Sequence, residues 1–169
     1  YTSGVLLVAR NDAAHRALAA QFSSRTVEKV YIALVRGRVK AETSRIEKPI
    51  ARDRIRRTRM TARLSSGRSA VTEYRVLRRY EDFSLLEVRI RTGRTHQIRV
   101  HMSALKHPCV GDLTYGADPT LAHRVGLERQ WLHAMRLGFE HPASGEYVEF
   151  ESTYPDDLAH ALEVIRGAH

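Results

Sequence analysis

Residues 83–102 constrain the fold more than any other stretch, because the hydrophobic period changes inside them. In 83–91, Leu86, Val88 and Ile90 alternate with Glu87, Arg89 and Arg91, the period-2 mark of a half-buried strand. Further on the spacing is helical: Ile98, Met102 and Leu105 face a core, while His96, Arg99 and Ser103 share a neighbouring face. Between them Gly93 offers a turn without a side-chain penalty, and Thr92 and Thr95 can each bond free amides at a helix start. A strand therefore runs almost directly into a helix, and cations collect at the junction. Such a spot suits an anion or an electron-rich reacting group. On the residues alone it reads equally well as a solvated basic face.

The rest of the chain alternates strand and helix patterns. Residues 5–9 form an apolar strand, and Asn11-Asp12 caps a helix over 13–24 that buries Leu18 and Phe22. In the strand 28–39, Val30, Ile32 and Leu34 lie on one side and Tyr31, Ala33 and Val35 on the other. Residues 40–50 read as loop. Residues 51–68 then set Arg52, Arg54, Arg56, Arg57, Arg59, Arg63 and Arg68 against Asp53 alone, and weak alternation favours a basic hairpin over a helix. This hairpin is either a charged surface loop or an arm that tracks RNA phosphates, a task for which the planar guanidinium fork is suited.

Two antiparallel strands, 69–80 and 83–91, meet at Glu81-Asp82. Residues 106–116 form a turn-rich connection in which Asp112 ties down the turn in preference to acting as a catalytic acid. A short helix within 119–131 precedes a packed Trp131. A hairpin follows over 132–141 and 146–153, and a last helix begins at Pro155 with Ala159, Leu162 and Ile165 inward.

The length of 169 residues is expected to form a single domain, 1–169. A net charge of +9 and a pI near 10.2 point to a polyanionic partner. No apolar run approaches the roughly 18 residues of a membrane span, so no membrane partner is expected. The lone Cys109 fits a reducing compartment, the cytoplasm. His96, His101 and His107 are not spaced as a helical metal pair, and the sequence lacks HExxH, a paired-cysteine motif, a glycine-rich phosphate cradle and a Gly-x-Ser-x-Gly elbow.

The stretch GRTHQIRVHM (93–102), followed by HPCVGDLTYG (107–116), resembles the signature of the RluA family of RNA pseudouridine synthases. Three more blocks agree in order: TSGVLLVAR (2–10), EKVYIALVRG (28–37) and LHAMRLGFEHPASGE (132–146). The resemblance implies an α/β fold of the α+β type. Its sheet would be mixed and largely antiparallel, with flanking helices and a central RNA-binding cleft. The direct count of about eight strands and three or four helices agrees. It also implies isomerisation of uridine to pseudouridine in structured RNA, ribosomal RNA first and transfer RNA second, by a monomer that needs no cofactor and no metal.

In the family's pattern Tyr31 is the active-site tyrosine that stacks on the target base; by periodicity alone it is also a core or edge filler. Arg99 aligns with the arginine that pairs with the catalytic aspartate, and a guanidinium at that place lowers a carboxylate pKa by about 1 to 3 units. In the family's loop, His-Arg-Leu-Asp-x-x-Thr-Ser-Gly, that aspartate falls two residues before Tyr1. The chain is thus expected to be the larger, C-terminal part of a catalytic domain. Arg52, Arg54, Arg56, Arg57 and Arg59 would contact RNA, and Arg94, His96 and Gln97 would shape the loop or touch RNA. The alternative is a non-catalytic RNA-binding module with the same basic arm.

Overall fold

The computed structural model describes residues 2–53, 55, 59–62 and 67–167. The elements in order are β1 (Ser3–Gly4), α1 (Asp12–Ser23), β2 (Glu28–Arg36), β3 (Thr43–Ile46), β4 (Ile50–Arg52), β5 (Met60–Ala62), β6 (Thr72–Arg79) and β7 (Phe83–Ile90). Then come α2 (Gln97–Ala104), a 3-10 turn (Leu113–Tyr115), α3 (Pro119–Arg124), β8 (Leu132–Glu140), β9 (Tyr147–Glu151) and α4 (Asp156–Gly167). Seven strands form one sheet in the order β1-β8-β2-β7-β6-β3, with β9 also beside β8. Every pairing in it is antiparallel except β1 with β8.

The double pattern of β2 explains the architecture. Ile32 and Leu34 join Phe83, Leu85, Trp131 and the α4 residues Leu158, Ala161, Leu162 and Ile165 in one core. Ala33 and Val35, on the opposite face, join Leu86, Val88, Ile90 and the α2 residues Ile98 and Met102 in another. The central strand is therefore apolar on both sides because a helix covers each side. Trp131 is fully buried and its indole N–H bonds the Leu158 carbonyl at 3.0 Å, fastening α4 to the sheet.

Several expectations shift. Residues 5–9 alternate in burial, with Val5, Leu7 and Ala9 packed on Leu18 and Phe139, but only Ser3–Gly4 are laddered. Beyond Ala134 the edge of β8 that could extend the pairing belongs to β9. Phe22 is 41% exposed; α1 buries Leu18 alone, and the Lys29 ammonium lies 5.4 Å from the Phe22 ring. Residues 40–50 are not all loop: β3 pairs with β6 as an edge strand, and its polar, mostly exposed residues carry no apolar alternation to betray it. In α4 the inward set is Leu158, Ala161, Leu162 and Ile165, with Ala159 only half-buried. The basic hairpin is present as β4 against β5.

Candidate functional site

The junction between β7 and α2 is set by a buried polar chain. Thr92 Oγ1 accepts the Val71 N–H (3.1 Å) and donates to Gln97 Oε1 (2.6 Å), which also accepts the Arg94 N–H (3.1 Å). Gln97 Nε2 donates to the Val71 carbonyl (2.8 Å) and to Thr72 Oγ1 (2.9 Å). All four hydrogen-bonding positions of the amide are thus satisfied. Neither Thr92 nor Thr95 caps α2: the N-cap is His96, held at φ 55° with no side-chain capping bond. The left-handed residue is His96 and not Gly93, because the Gln97 clamp fixes the preceding amides.

The chain continues into helix α2. Thr72 Oγ1 lies 2.7 Å from His101 Nδ1, and His101 Nε2 lies 2.8 Å from the Lys48 carbonyl. A carbonyl only accepts, so Nε2 carries the proton and Nδ1 accepts from threonine. Burial, above all, holds this imidazole below its ordinary value, and His101 is neutral in the fold at pH 7. Below about pH 6.5 the unfolded chain takes up a proton that the folded chain refuses, so stability decreases as pH falls through that window. His96 shifts in the same direction, by burial and then by Arg99. The melting temperature is therefore expected to fall between pH 7.5 and 5.5, and His101→Gln to flatten the decline. An identical profile for that variant would remove His101 as its source.

The face carrying His96, Arg99 and Ser103 grips the connection 109–116. Arg99 Nε and Nη2 donate to Asp112 Oδ2 and Oδ1, both at 2.8 Å. The Asp112 side chain is 1% exposed and that of Arg99 12%, and the carboxylate raises the Arg99 pKa further. His96 Nδ1 meets the Tyr115 hydroxyl at 2.7 Å, and Ser103 Oγ donates to the Tyr115 carbonyl at 2.7 Å. Tyr115 receives the Met60 N–H at 2.8 Å, tying hairpin β4–β5 to the site. The guanidinium carbons of Arg99 and Arg59 lie 4.9 and 5.1 Å from its ring centre. Asp112 thus secures the turn, as its setting suggested, but it does so as the carboxylate partner of Arg99.

That grip is side-on. It leaves Nη1 of Arg99 without a hydrogen bond among the described residues. Arg99 also lines a cleft of about 310 Å³, with Thr2, Tyr31, Arg94, His96 and Gln130 among others. Tyr31 lies on the Ala33 and Val35 face of β2, packs against that core and lines the cleft. Burial raises its phenol pKa, so it stays protonated. A larger groove of about 760 Å³ lies against residues 5–10, α1 and β8, and neither Tyr31 nor Arg99 lines it.

The sequence-predicted residues Tyr31, Arg94, His96, Gln97 and Arg99 therefore share one cleft. Gln97 is 3% exposed and all its side-chain bonds are internal, which leaves it the loop-shaping half of its expectation. Arg94 bonds the Ser69 carbonyl at 2.7 Å, and its pKa is lowered by burial and then by Arg68 and Arg25. Arg59 reaches the site through Tyr115, and Arg52 is exposed at the end of β4. Arg54, Arg56 and Arg57 lie outside the described residues. Sequence reasoning missed Tyr115 and Gln130, and it missed that Arg99 and Asp112 pair. The block 107–116 holds both Asp112 and Tyr115, yet nothing in its spacing says that it folds back on α2. Among the described residues no three His, Cys, Asp or Glu side chains gather as a metal site.

The family model described as RNA pseudouridylate synthase matches residues 1–104. An uncharacterized RNA pseudouridine synthase of Mycobacterium bovis is 51% identical over 166 residues, covering 98% of this chain and 54% of the relative. The ribosomal large subunit pseudouridine synthase D of Zymomonas mobilis is 43% identical, covering 93% of this chain and 51% of the relative. The chain spans about half the length of these curated relatives. Among solved structures, human RNA pseudouridylate synthase domain containing 1 superposes with a TM-score of 0.74 at 35% identity, covering 88% of this chain and 63% of that one. The strand-to-helix junction and its cleft therefore sit in a fold shared with these enzymes, and the chain belongs to the RNA pseudouridylate synthase family.

Proposed function

We propose that the protein isomerises uridine to pseudouridine in RNA, with the extruded base held in the cleft lined by β2, the β7–α2 junction and residues 130–132. One observation carries the reading. Buried Asp112 holds Arg99 side-on through Nε and Nη2, so the guanidinium is fixed in place with Nη1 left over, and Arg99 lines the same cleft as Tyr31 and Thr2. In the family's pattern a catalytic aspartate lies a few residues ahead of Thr2. Its carboxylate would meet the open end of an already oriented fork and stay ionised in a shielded site. Tyr31 supplies a ring for base stacking, worth about 1–3 kcal/mol per base. That offsets part of the few kcal/mol that extruding the nucleotide costs.

Cations gather around Arg94, which lines the cleft. Arg25, Arg68 and Arg94 are close enough for the first two to depress the pKa of the third, and Lys29 is lowered by burial and then by Arg94. Uncompensated positive charge of this kind favours phosphate. The basic hairpin, with Arg52 and Arg59 among its residues, adds to that charge. Relatives named for the ribosomal large subunit favour ribosomal RNA as the first substrate to try, and action in the cytoplasm goes with that reading. Release of tritium from 5-tritiated uridine in a large-subunit ribosomal RNA transcript by the full-length protein is the test. RNA binding with no release would mark a non-catalytic binding module instead.

A further inference from the structure

We infer that the side-chain amide of Gln130 hydrogen-bonds a carbonyl of the pyrimidine in the cleft and selects uracil over cytosine; this rests on the function proposed above. Gln130 is 5% exposed, and its buried Nε2 has no hydrogen-bond partner. Among the described residues, the other buried side-chain atoms in that condition belong to residues that do not line this cleft. Gln130 does line it, with Tyr31 and Arg99. A buried amide donor left unpaired is unfavourable in a fold with no ligand, and it persists where a ligand completes it.

The backbone around Gln130 is fixed from two sides. Trp131 N–H bonds the Val110 carbonyl at 2.8 Å, and Arg129 forks onto Asp157 at 2.8 and 3.1 Å. Gly111 presses on the Arg129 carbonyl so closely that a Cβ there would overlap it. Arg129 and Trp131 are thus held from α4 on one side and from the 109–116 connection on the other, which fixes the backbone from which the Gln130 side chain projects.

The chemistry of the isomerisation suits a fixed donor. Moving the ribose from N1 to C5 of uracil requires the base to turn about its N3–C6 axis, which exchanges the C2 and C4 carbonyls. One donor at that position meets a carbonyl oxygen before the turn and again after it. Cytosine would present its amino group in one of the two orientations, setting donor against donor.

The test uses full-length protein and RNA carrying 5-tritiated uridine. Gln130→Leu fills similar space and removes an unpaired amide, so its melting temperature is expected to be unchanged or higher. Its kcat/KM is expected to fall about 10- to 1000-fold, as for other preorganised donors. RNA with cytidine at the target position, a weak competitor against the wild type, should compete with uridine RNA about equally for this variant. An inactive wild type would fail the functional reading and this inference with it. An active wild type with an undiminished Gln130→Leu variant would overturn the role of Gln130 alone. So would a variant whose activity falls only in step with its melting temperature.

Discussion

Asp112→Ala is expected to lower folding stability by about 3–5 kcal/mol, because it strands a guanidinium that the fold has largely removed from water. Arg99 is 12% exposed and both of its short bonds go to that carboxylate. Arg99→Ala should cost as much for the converse reason, since Asp112 at 1% exposure would be left charged and unpaired. The second variant cannot therefore separate catalysis from folding, although the sequence alone presents Arg99 as free to serve a carboxylate elsewhere. The pair Arg99→Met with Asp112→Leu should be less destabilising than either alanine variant, since two apolar side chains replace two charges. Urea denaturation of the three variants measures this. Two alanine variants that each lose under about 1 kcal/mol, the range of an exposed pair, would show that the bridge is a surface contact.

Gly111→Ala is expected to cost about 2–5 kcal/mol and to weaken activity beyond its effect on stability. The residue sits at φ 85°, where an L side chain costs about 1–2 kcal/mol. The added Cβ would also fall on the Arg129 carbonyl oxygen, which is backbone and has nowhere to move. Relieving that overlap costs roughly 1–3 kcal/mol more. The displacement would move two groups at once: Asp112, next in sequence and paired with the cleft residue Arg99, and Gln130, which lines the cleft next to Arg129. Thermal unfolding together with single-turnover rates on RNA separates the two effects. A variant with wild-type melting and wild-type rate would mean that the close approach does not set the cleft.

The parts of the fold that could be read from sequence are those with a strong period. β2 shows apolar residues on both sides, and Ile32 with Leu34 and Ala33 with Val35 do enter different cores. The change of period from β7 to α2 placed Ile98 and Met102 correctly against the sheet. β3 stayed invisible because an exposed edge strand need not alternate. Phe22 misled because an apolar residue at helical spacing is buried only if something lies opposite it.

In the site, the motif located the cleft, while the partners within it depended on tertiary contact. Arg99 and Asp112 lie thirteen residues apart across a turn, a separation that no helical or strand period reports. The strained backbone fell on His96, where no glycine advertises it. Gln130 carries no local signal at all, since only the folded chain shows that its amide lacks a partner.

The role of the Arg99 fork is tested most directly by Arg99→Lys in the full-length protein, which keeps a charge for Asp112 and removes the open end of the guanidinium. Single-turnover tritium release from 5-tritiated RNA and RNA affinity are measured side by side. The expected result is a rate at least about 100-fold slower, the scale of losing one preorganised electrostatic contact, with RNA affinity nearly unchanged. Release at the wild-type rate by a folded Arg99→Lys protein would contradict it.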